Sequence, residues 1–263
     1  MTIIRLGAVG YLNARPLVYG LELRSRMFSL RFDVPSKCAA LLHEGSIDVG
    51  MIPSIEYLRG RGYRIVPHVA IASEGPVASV ALFSQCPVNQ IRTVAADTSS
   101  RTSNGLLRVL CYESFGIDPE FRPMPPGIDT MLHSCDAALL IGDPALFLDH
   151  EAAGLLKVDL GERWTALTGM PFVWAFWAGR PDALPPPAVA ALVEARDAGV
   201  RASDEIAMAY CGPDRTALCQ TYLRENIYYR LGEREEQGLR HYYELAEKHG
   251  VAQAIRAPMF YDE

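Results

Sequence analysis

The fold can be inferred outward from residues 93–114, which read TVAADTSSRTSNGLLRVLCYES. The run Thr93–Ala96 predicts a short buried strand, and the polar run Asp97–Ser103 after it predicts a turn. From Asn104 to Ser114 the sequence is typical of a helix, and Gly116 is a typical helix end. A strand, a turn and a helix in this order are the repeating unit of α/β proteins.

The same alternation precedes this stretch. We expect strands over Ile3–Val9, Phe28–Val34 and Ile47–Ile52, with one or two more inside Val66–Phe83. We expect helices over residues 16–24, from a Ser36 cap to Gly45, and from Pro53-Ser54 to near Gly60. The pattern predicts an α/β layer structure with a largely parallel sheet.

Two domains are expected, because the alternation pauses near Cys86–Asn89 and then restarts. Ala137–Ile141 is the next expected strand of the second domain. Phe172–Trp177 is too apolar for a surface loop and should return to the first sheet. Helices should follow over Ala188–Ala202, Arg215–Tyr229 and Glu233–His249. These features divide the chain into residues 1–87 with 170–263, and residues 88–169.

Composition narrows the class of protein. The chain has 263 residues, 49% of them hydrophobic, and 25 basic against 31 acidic side chains give a formal charge of −6. Without a basic run, nucleic acid is not an expected partner. We also expect no membrane span and no secretion signal. The cysteines have no C-x-x-C spacing and are expected to be reduced thiols of a cytoplasmic protein: Cys38, Cys86, Cys111, Cys135, Cys211 and Cys219. The sequence leaves the oligomeric state open.

Four polar turns follow predicted strands. They are Gly10–Asn13, Pro53-Ser54, Asp97–Ser103 and Gly142-Asp143. In open α/β sheets, ligands bind in the crevice outside the carboxyl ends of the strands. We therefore expect a small-molecule site in a cleft between the two domains.

The turn before the predicted helix at Asn104 is the most informative of the four. Its backbone N–H groups, hydroxyls and one guanidinium could hold a carboxylate or phosphate, and the residues concerned are Ser100, Arg101, Thr102 and Ser103. The alternative is that Ser103 only caps the helix and Arg101 points to solvent. Ser54 is a weaker example of the same pattern.

Other candidate residues have structural alternatives. Asn13 could form a local Asx turn, and Asp143 before Pro144 could simply start a helix. The six histidines form no ligand-spaced pair, so no metal is expected. Nucleotide-binding, zinc-protease and serine-hydrolase motifs are not found, and we expect no cofactor.

Several longer motifs, taken together, resemble one known family. They are residues 10–17, 48–57, 100–103, 140–146, 160–164 and 169–173, and the likeness extends to the helices near Tyr228 and Leu245. In this order they are similar to the chorismate dehydratases of the futalosine route to menaquinone. The match spans nearly the whole chain.

The resemblance implies a two-domain fold like that of type II periplasmic solute-binding proteins, with the ligand in the cleft. It implies a lyase that removes water from chorismate to give 3-[(1-carboxyvinyl)oxy]benzoate. In this family the side-chain carboxylate of the substrate is thought to take the proton, and Asn13 would then position the leaving hydroxyl or the developing anion. The expected substrate-binding residues are Ser54, Ser79, Ser100, Arg101, Thr102, Ser103, Gly142 and Asp143.

Two other functions stay open at this stage. The sibling 1,4-dihydroxy-6-naphthoate synthases share the fold, but they use a histidine at the strand end where this chain has Gly142-Asp143. The chain could also be a cytoplasmic solute-binding or sensor module without catalysis, because fold does not fix function.

Overall fold

The computed structural model describes residues 3–60 and 62–261, so the expected domain ends at residues 1 and 263 lie outside it. Its strands are β1 Ile4–Val9, β2 Phe28–Asp33, β3 Val49–Pro53, β4 Arg64–Ile65, β5 Ile71–Ser73, β6 Val80–Ser84, β7 Thr93–Asp97, β8 Glu120–Met124, β9 Ala137–Ile141, β10 Leu156–Asp159 and β11 Phe172–Gly179. They form two separate sheets.

Both sheets are mixed rather than largely parallel. The first has the order β2-β1-β3-β11-β4, with β5 also on β11, and the second has the order β10-β6-β9-β7-β8. In the first sheet β1 is parallel to β2 and β3, while β11 runs antiparallel to its neighbours. In the second, β6 is the antiparallel strand. Each antiparallel strand follows a crossing of the chain from one sheet to the other.

The positions of these crossings correct the expected boundary near residue 87. Strand β6 already belongs to the second sheet, so the chain leaves the first sheet within residues 74–79. It returns between β10 and β11, and Phe172–Trp177 lies in the first sheet as expected. The division into two domains that move as units stays a prediction.

The helices cover the sheets. They are α1 Arg15–Val18, α2 Pro35–His43, α3 Arg101–Leu110, α4 Ile128–Ser134, α5 Asp143–Leu146, α6 Leu160–Thr168, α7 Pro186–Arg201, α8 Ser203–Cys211, α9 Thr216–Thr221 and α10 Glu233–Lys248. Short 3₁₀ turns span Leu12–Ala14, Leu21–Arg24, Ser54–Arg59, Val88–Gln90 and Pro213–Arg215. Single π-helical turns, Cys111–Phe115 and Tyr222–Asn226, continue α3 and α9.

Several helix boundaries differ from the expected ones. The helix expected over 16–24 is interrupted at Gly20, whose φ of 72° is left-handed. Ser36 is not a cap, because α2 already begins at Pro35. Helix α3 begins three residues before Asn104, because Ser100 accepts a hydrogen bond from Ser103 N and so caps it earlier.

A disulfide joins Cys211 to Cys219, so the expectation of six reduced cysteines was wrong for this pair. Helices α8 and α9 pack side by side and bring the two Cα atoms to 6.8 Å. The other four cysteines are free. Among the described residues, none of the helices is long and apolar enough to cross a membrane.

An aromatic cluster fixes the helical layer on the first sheet. The ring of Phe172 on β11 lies 4.4 Å from Trp174, 4.8 Å from Tyr242 and 5.2 Å from Trp164, centroid to centroid. Such contacts bury large apolar areas and leave little freedom to the helices. Tyr242 uses its hydroxyl to donate to Thr102 O at 3.2 Å. Helix α10 therefore supports the first turn of α3.

Candidate functional site

A cavity lies between the two sheets, where the expected polar turns meet. Its polar lining comes from Tyr11, Asn13, Ser100, Thr102, Ser103 and Gly142. Its apolar walls come from strands and turns of both sheets, including Val9, Ile71, Val77, Val80, Ile141 and Trp174. The carboxyl ends of β1, β3, β7 and β9 all reach it, as expected for a crevice at strand ends.

The start of α3 presents hydroxyls to this cavity. Ser100 Oγ accepts from Ser103 N at 3.2 Å and donates to Ser103 Oγ at 2.8 Å. Because Ser103 Oγ is already an acceptor, its own hydrogen is available to a ligand. Thr102 Oγ1 accepts from Ile55 N at 3.1 Å, which ties α3 to the turn after β3. The positive end of the helix dipole points the same way.

Asn13 contributes an unsatisfied group. It lies in the 3₁₀ turn Leu12–Ala14, and its buried Oδ1 atom has no hydrogen-bond partner among the residues that the structure describes. A buried amide oxygen without a partner costs free energy unless a ligand satisfies it. Because Asn13 also lines the cavity, it is suited to accept a hydrogen bond from a bound molecule.

The cavity lining is neutral. Among its described residues none carries a carboxylate, an imidazole, an ammonium or a guanidinium group. Burial raises the pKa of Tyr11, so its phenol stays protonated at neutral pH. An anionic ligand would therefore be held by hydroxyls, amides and the helix dipole.

Arg101 does not line this cavity, and its expected role as an anion ligand stays a prediction. Its guanidinium donates to Glu56 Oε2 at 3.0 Å on the other side of α3. Glu56 is fully buried and also pairs with Arg59 and His43. A buried carboxylate needs such partners, so Glu56 engages the guanidinium of Arg101.

Asp143 makes hydrogen bonds within the protein, and its expected role as a substrate ligand stays a prediction. Its Oδ1 accepts from Leu12 N at 3.0 Å, and its Oδ2 accepts from the hydroxyl of Tyr210 on α8. The carboxylate thus joins the end of β9 to the turn that carries Asn13. Gly142 before it has φ 62°, and a Cβ there would lie 2.6 Å from the Tyr11 ring.

Ser54 and Ser79 are both fully buried beside the cavity. Ser54 Oγ donates to Val173 O at 2.8 Å, so its hydrogen is not free for a ligand. Ser79 Oγ accepts from the hydroxyl of Tyr222 at 2.7 Å. No sequence pattern distinguishes Tyr222 from the other tyrosines, because this contact joins residues 143 positions apart.

The two mixed sheets and the polar cavity between them define a periplasmic-binding-protein-like fold. Among solved structures the chain is similar to a protein of Archaeoglobus fulgidus, with a TM-score of 0.76 and 19% identity over 94% of this chain and 98% of that one. It is also similar to the alkanesulfonate-binding protein of Xanthomonas axonopodis pv. citri bound to MOPS, with a TM-score of 0.69 and 17% identity over 95% and 94%. At these identities the likeness shows the fold alone.

The family follows from the sequence comparison. The family model described as menaquinone biosynthesis matches residues 4–248, and the chain belongs to this family. The chain is also 32% identical, over 277 aligned positions that cover 98% of both proteins, to the chorismate dehydratase of Thermus thermophilus. The family resemblance expected from the motifs is confirmed.

Proposed function

We propose that this protein is a chorismate dehydratase, a carbon–oxygen lyase of menaquinone biosynthesis. The observation that carries the proposal is the 32% identity to a protein of that name over nearly the full length of both chains. The cavity adds support, because it combines a neutral lining, hydroxyl donors at a helix start and an unsatisfied amide oxygen.

The proposed substrate suits the donors at the start of α3. Chorismate carries two carboxylates, and the Ser103 hydroxyl and the free backbone N–H groups of the first helical turn can donate to one of them. Hydrogen bonds to a charged group contribute about 1.5–3 kcal/mol each. Binding would therefore need no arginine or lysine in the cavity.

The elimination balances without a protein base. The C–H bond at the ring carbon that bears the enol-ether oxygen breaks, and its electron pair forms the new ring double bond. The neighbouring C–O bond breaks, and the hydroxyl leaves with the abstracted proton as water. The carboxylate of the substrate's enolpyruvyl group would take the proton and pass it to the leaving oxygen. The ring becomes aromatic, which drives the reaction.

The protein would then orient the groups that react. Asn13 Oδ1, which is buried and unpaired, would accept the hydrogen of the leaving hydroxyl and so turn the lone pair of that oxygen toward the incoming proton. A fixed dipole of this kind can account for a large part of a rate enhancement.

The test is incubation of the purified protein with chorismate, followed by ultraviolet absorbance and mass spectrometry. We expect an aromatic product lighter than chorismate by one water. If chorismate binds in calorimetry without conversion, the protein is a solute-binding module and the proposal is wrong. Conversion of a naphthoate precursor instead would favour the sibling synthase.

A cytoplasmic location is part of the same proposal. The disulfide between Cys211 and Cys219 does not support this location, because a reducing cytoplasm keeps most cysteine pairs as thiols. Thiol labelling in freshly lysed cells is the test, and modification of both cysteines would mean that the pair is reduced in the cell, as a cytoplasmic location requires. Protection of this pair from labelling would argue for an oxidising compartment.

A further inference from the structure

One wall of the cavity is a strained three-residue turn. Ala78 has a φ of 60° although it is not a glycine, and Ser79 N donates to Val77 O at 2.7 Å. A γ-turn with positive φ is rare and costs free energy for an L-residue with a side chain. Such strain persists only where the surroundings hold it, and it is frequent at functional sites. Here Val77 and Val80, on either side, line the cavity.

A single buried carboxylate holds this turn. Asp159 Oδ2 accepts from Ala78 N at 2.7 Å, and Asp159 Oδ1 accepts from Val77 N at 3.0 Å. The same Oδ1 atom accepts from Gly161 N and Glu162 N and so caps α6. The two oxygens therefore have different tasks. Oδ1 is shared between the helix cap and Val77, whereas Ala78 is the one described residue that donates to Oδ2.

The turn places Ser79 within a group of polar side chains. Ser79 Oγ accepts from Tyr222, and Ser79 O accepts from Gly142 N at 2.8 Å. Burial raises the pKa of Tyr222 well above its ordinary value, and the polar side chains of Ser79 and Asn13 beside its hydroxyl oppose that rise. Tyr222 therefore remains a neutral donor that contacts both residues. Because Tyr222 gives its hydrogen to Ser79, the Ser79 hydroxyl can give its own to another acceptor.

We propose that Asp159 is a positioning residue of the cavity, whose Oδ2 atom holds the strained Val77–Ser79 turn and thereby keeps Ser79 in its hydrogen bond with Tyr222, the residue that also contacts Asn13. The proposal rests on the proposed dehydratase activity. It assigns to Asp159 a role that it exerts through the turn, without contact to the substrate.

The first test is Asp159→Asn, which separates the two tasks. Asparagine keeps an oxygen for the α6 cap and for Val77, but it turns an NH₂ group toward Ala78 N, where no hydrogen bond can form. We expect kcat for chorismate to fall by about 10-fold while KM changes by less than about twofold, because the loss affects positioning more than binding. A wild-type kcat would overturn the proposal.

The second test is rescue by Ala78→Gly in the Asp159→Asn background. Glycine adopts positive φ without strain, so the turn should persist without the Oδ2 bond. We expect kcat to return to within about threefold of wild type. A kcat that stays low in the double variant would mean that Asp159 acts in another way, and would overturn the proposal.

Asp136→Asn is the matched control. Asp136 Oδ2 also accepts backbone N–H groups, from Arg92 and Thr93, but at the start of β7 and away from the cavity. Its replacement should leave kcat unchanged. If it lowers kcat as much as Asp159→Asn does, the effect of Asp159 is general destabilisation and the proposal fails.

Hydrogen exchange makes the test independent of turnover and of variant folding. In the wild-type protein the Ala78 amide should be protected by Asp159, and rapid exchange there would overturn the proposal. If the wild type exchanges slowly at Ala78 but does not convert chorismate, the turn is held as described and it is the proposed activity that fails.

Discussion

Two polar clusters lie on opposite sides of the first turn of α3, and they are used differently. The cavity face consists of Asn13, Ser100, Thr102 and Ser103, which reach the cavity between the sheets. The outer cluster consists of His43, Glu56, Arg59 and Arg101. The cavity face is neutral and leaves hydrogen-bonding groups unused, whereas the outer cluster is charged and its members bond one another.

The two clusters differ because adjacent residues of α3 point in different directions. Consecutive residues of a helix point about 100° apart, so Arg101 and Thr102 face different partners. Thr102 meets the backbone of Ile55 and the cavity, while Arg101 meets the buried carboxylate of Glu56. One helical turn can therefore anchor the two sheets to each other and still offer donors to a ligand.

The largest effect should come from the unsatisfied amide of the cavity face. Asn13→Ala should lower kcat for chorismate by about 100-fold or more, because a preorganised group is lost from the reacting region. The variant should fold and still bind chorismate in calorimetry. His133→Ala and His150→Ala are the controls, since neither residue lines the cavity, and both should keep nearly wild-type turnover. An inactive histidine variant would indicate a protein base and contradict substrate-assisted elimination.

The second-largest effect should come from the hydroxyls at the start of α3, and it should be an effect on substrate binding. Replacing Thr102 and Ser103 together by alanine should weaken chorismate binding by about 1.5–3 kcal/mol, the scale of hydrogen bonds to a carboxylate. The measurement is the calorimetric Kd, with circular dichroism as a check that α3 persists. Ser54→Ala is a useful comparison, because its hydroxyl already donates to Val173 O and its loss should leave Kd nearly unchanged. An unchanged Kd in the double variant would mean that Thr102 and Ser103 do not bind the substrate.

The ion pairs of the outer cluster should make the free energy of unfolding depend on pH. Burial alone would raise the pKa of Glu56, but His43, Arg59 and Arg101 together hold it below its ordinary value. A carboxylate with a lowered pKa stabilises the fold above its ordinary pKa of 4.5, and this contribution is lost as the pH falls below that value.

The measurement is denaturant unfolding of the wild type and Glu56→Gln between pH 7 and pH 3. Glu56→Gln should be less stable by about 1.5 kcal/mol at pH 7, and the difference should shrink toward pH 3. A difference that is constant with pH would mean that the charge of Glu56 contributes nothing.

Much of the fold follows from local sequence, whereas the orientation of the site residues does not. The strand Ala137–Ile141 and the stretch Phe172–Trp177 of β11 are apolar throughout and were expected from that pattern. The choice of Glu56 as the partner of Arg101 depends on a contact between residues 45 positions apart. The carboxylate of Asp159 and the turn at Ala78 are 81 positions apart. The periodicity of apolar residues predicts which face of a helix or strand is buried. It does not predict which side chain, distant in sequence, packs against that face.

A variant of Arg101 tests most directly whether the two clusters have different roles, although we expect this variant to change chorismate binding least. If Arg101 held a substrate carboxylate, Arg101→Gln would raise KM by about 10-fold or more, since hydrogen bonds to charged groups contribute about 1.5–3 kcal/mol. In the structure its guanidinium belongs to Glu56, so KM should change by less than about twofold while the thermal midpoint falls slightly. Steady-state kinetics on chorismate and a thermal melt of the same preparation distinguish the two outcomes. A raised KM with an unchanged melting point would mean that Arg101 belongs to the cavity face. Its guanidinium would then bind the substrate instead of Glu56, and it would contribute to binding and not to the stability of the fold.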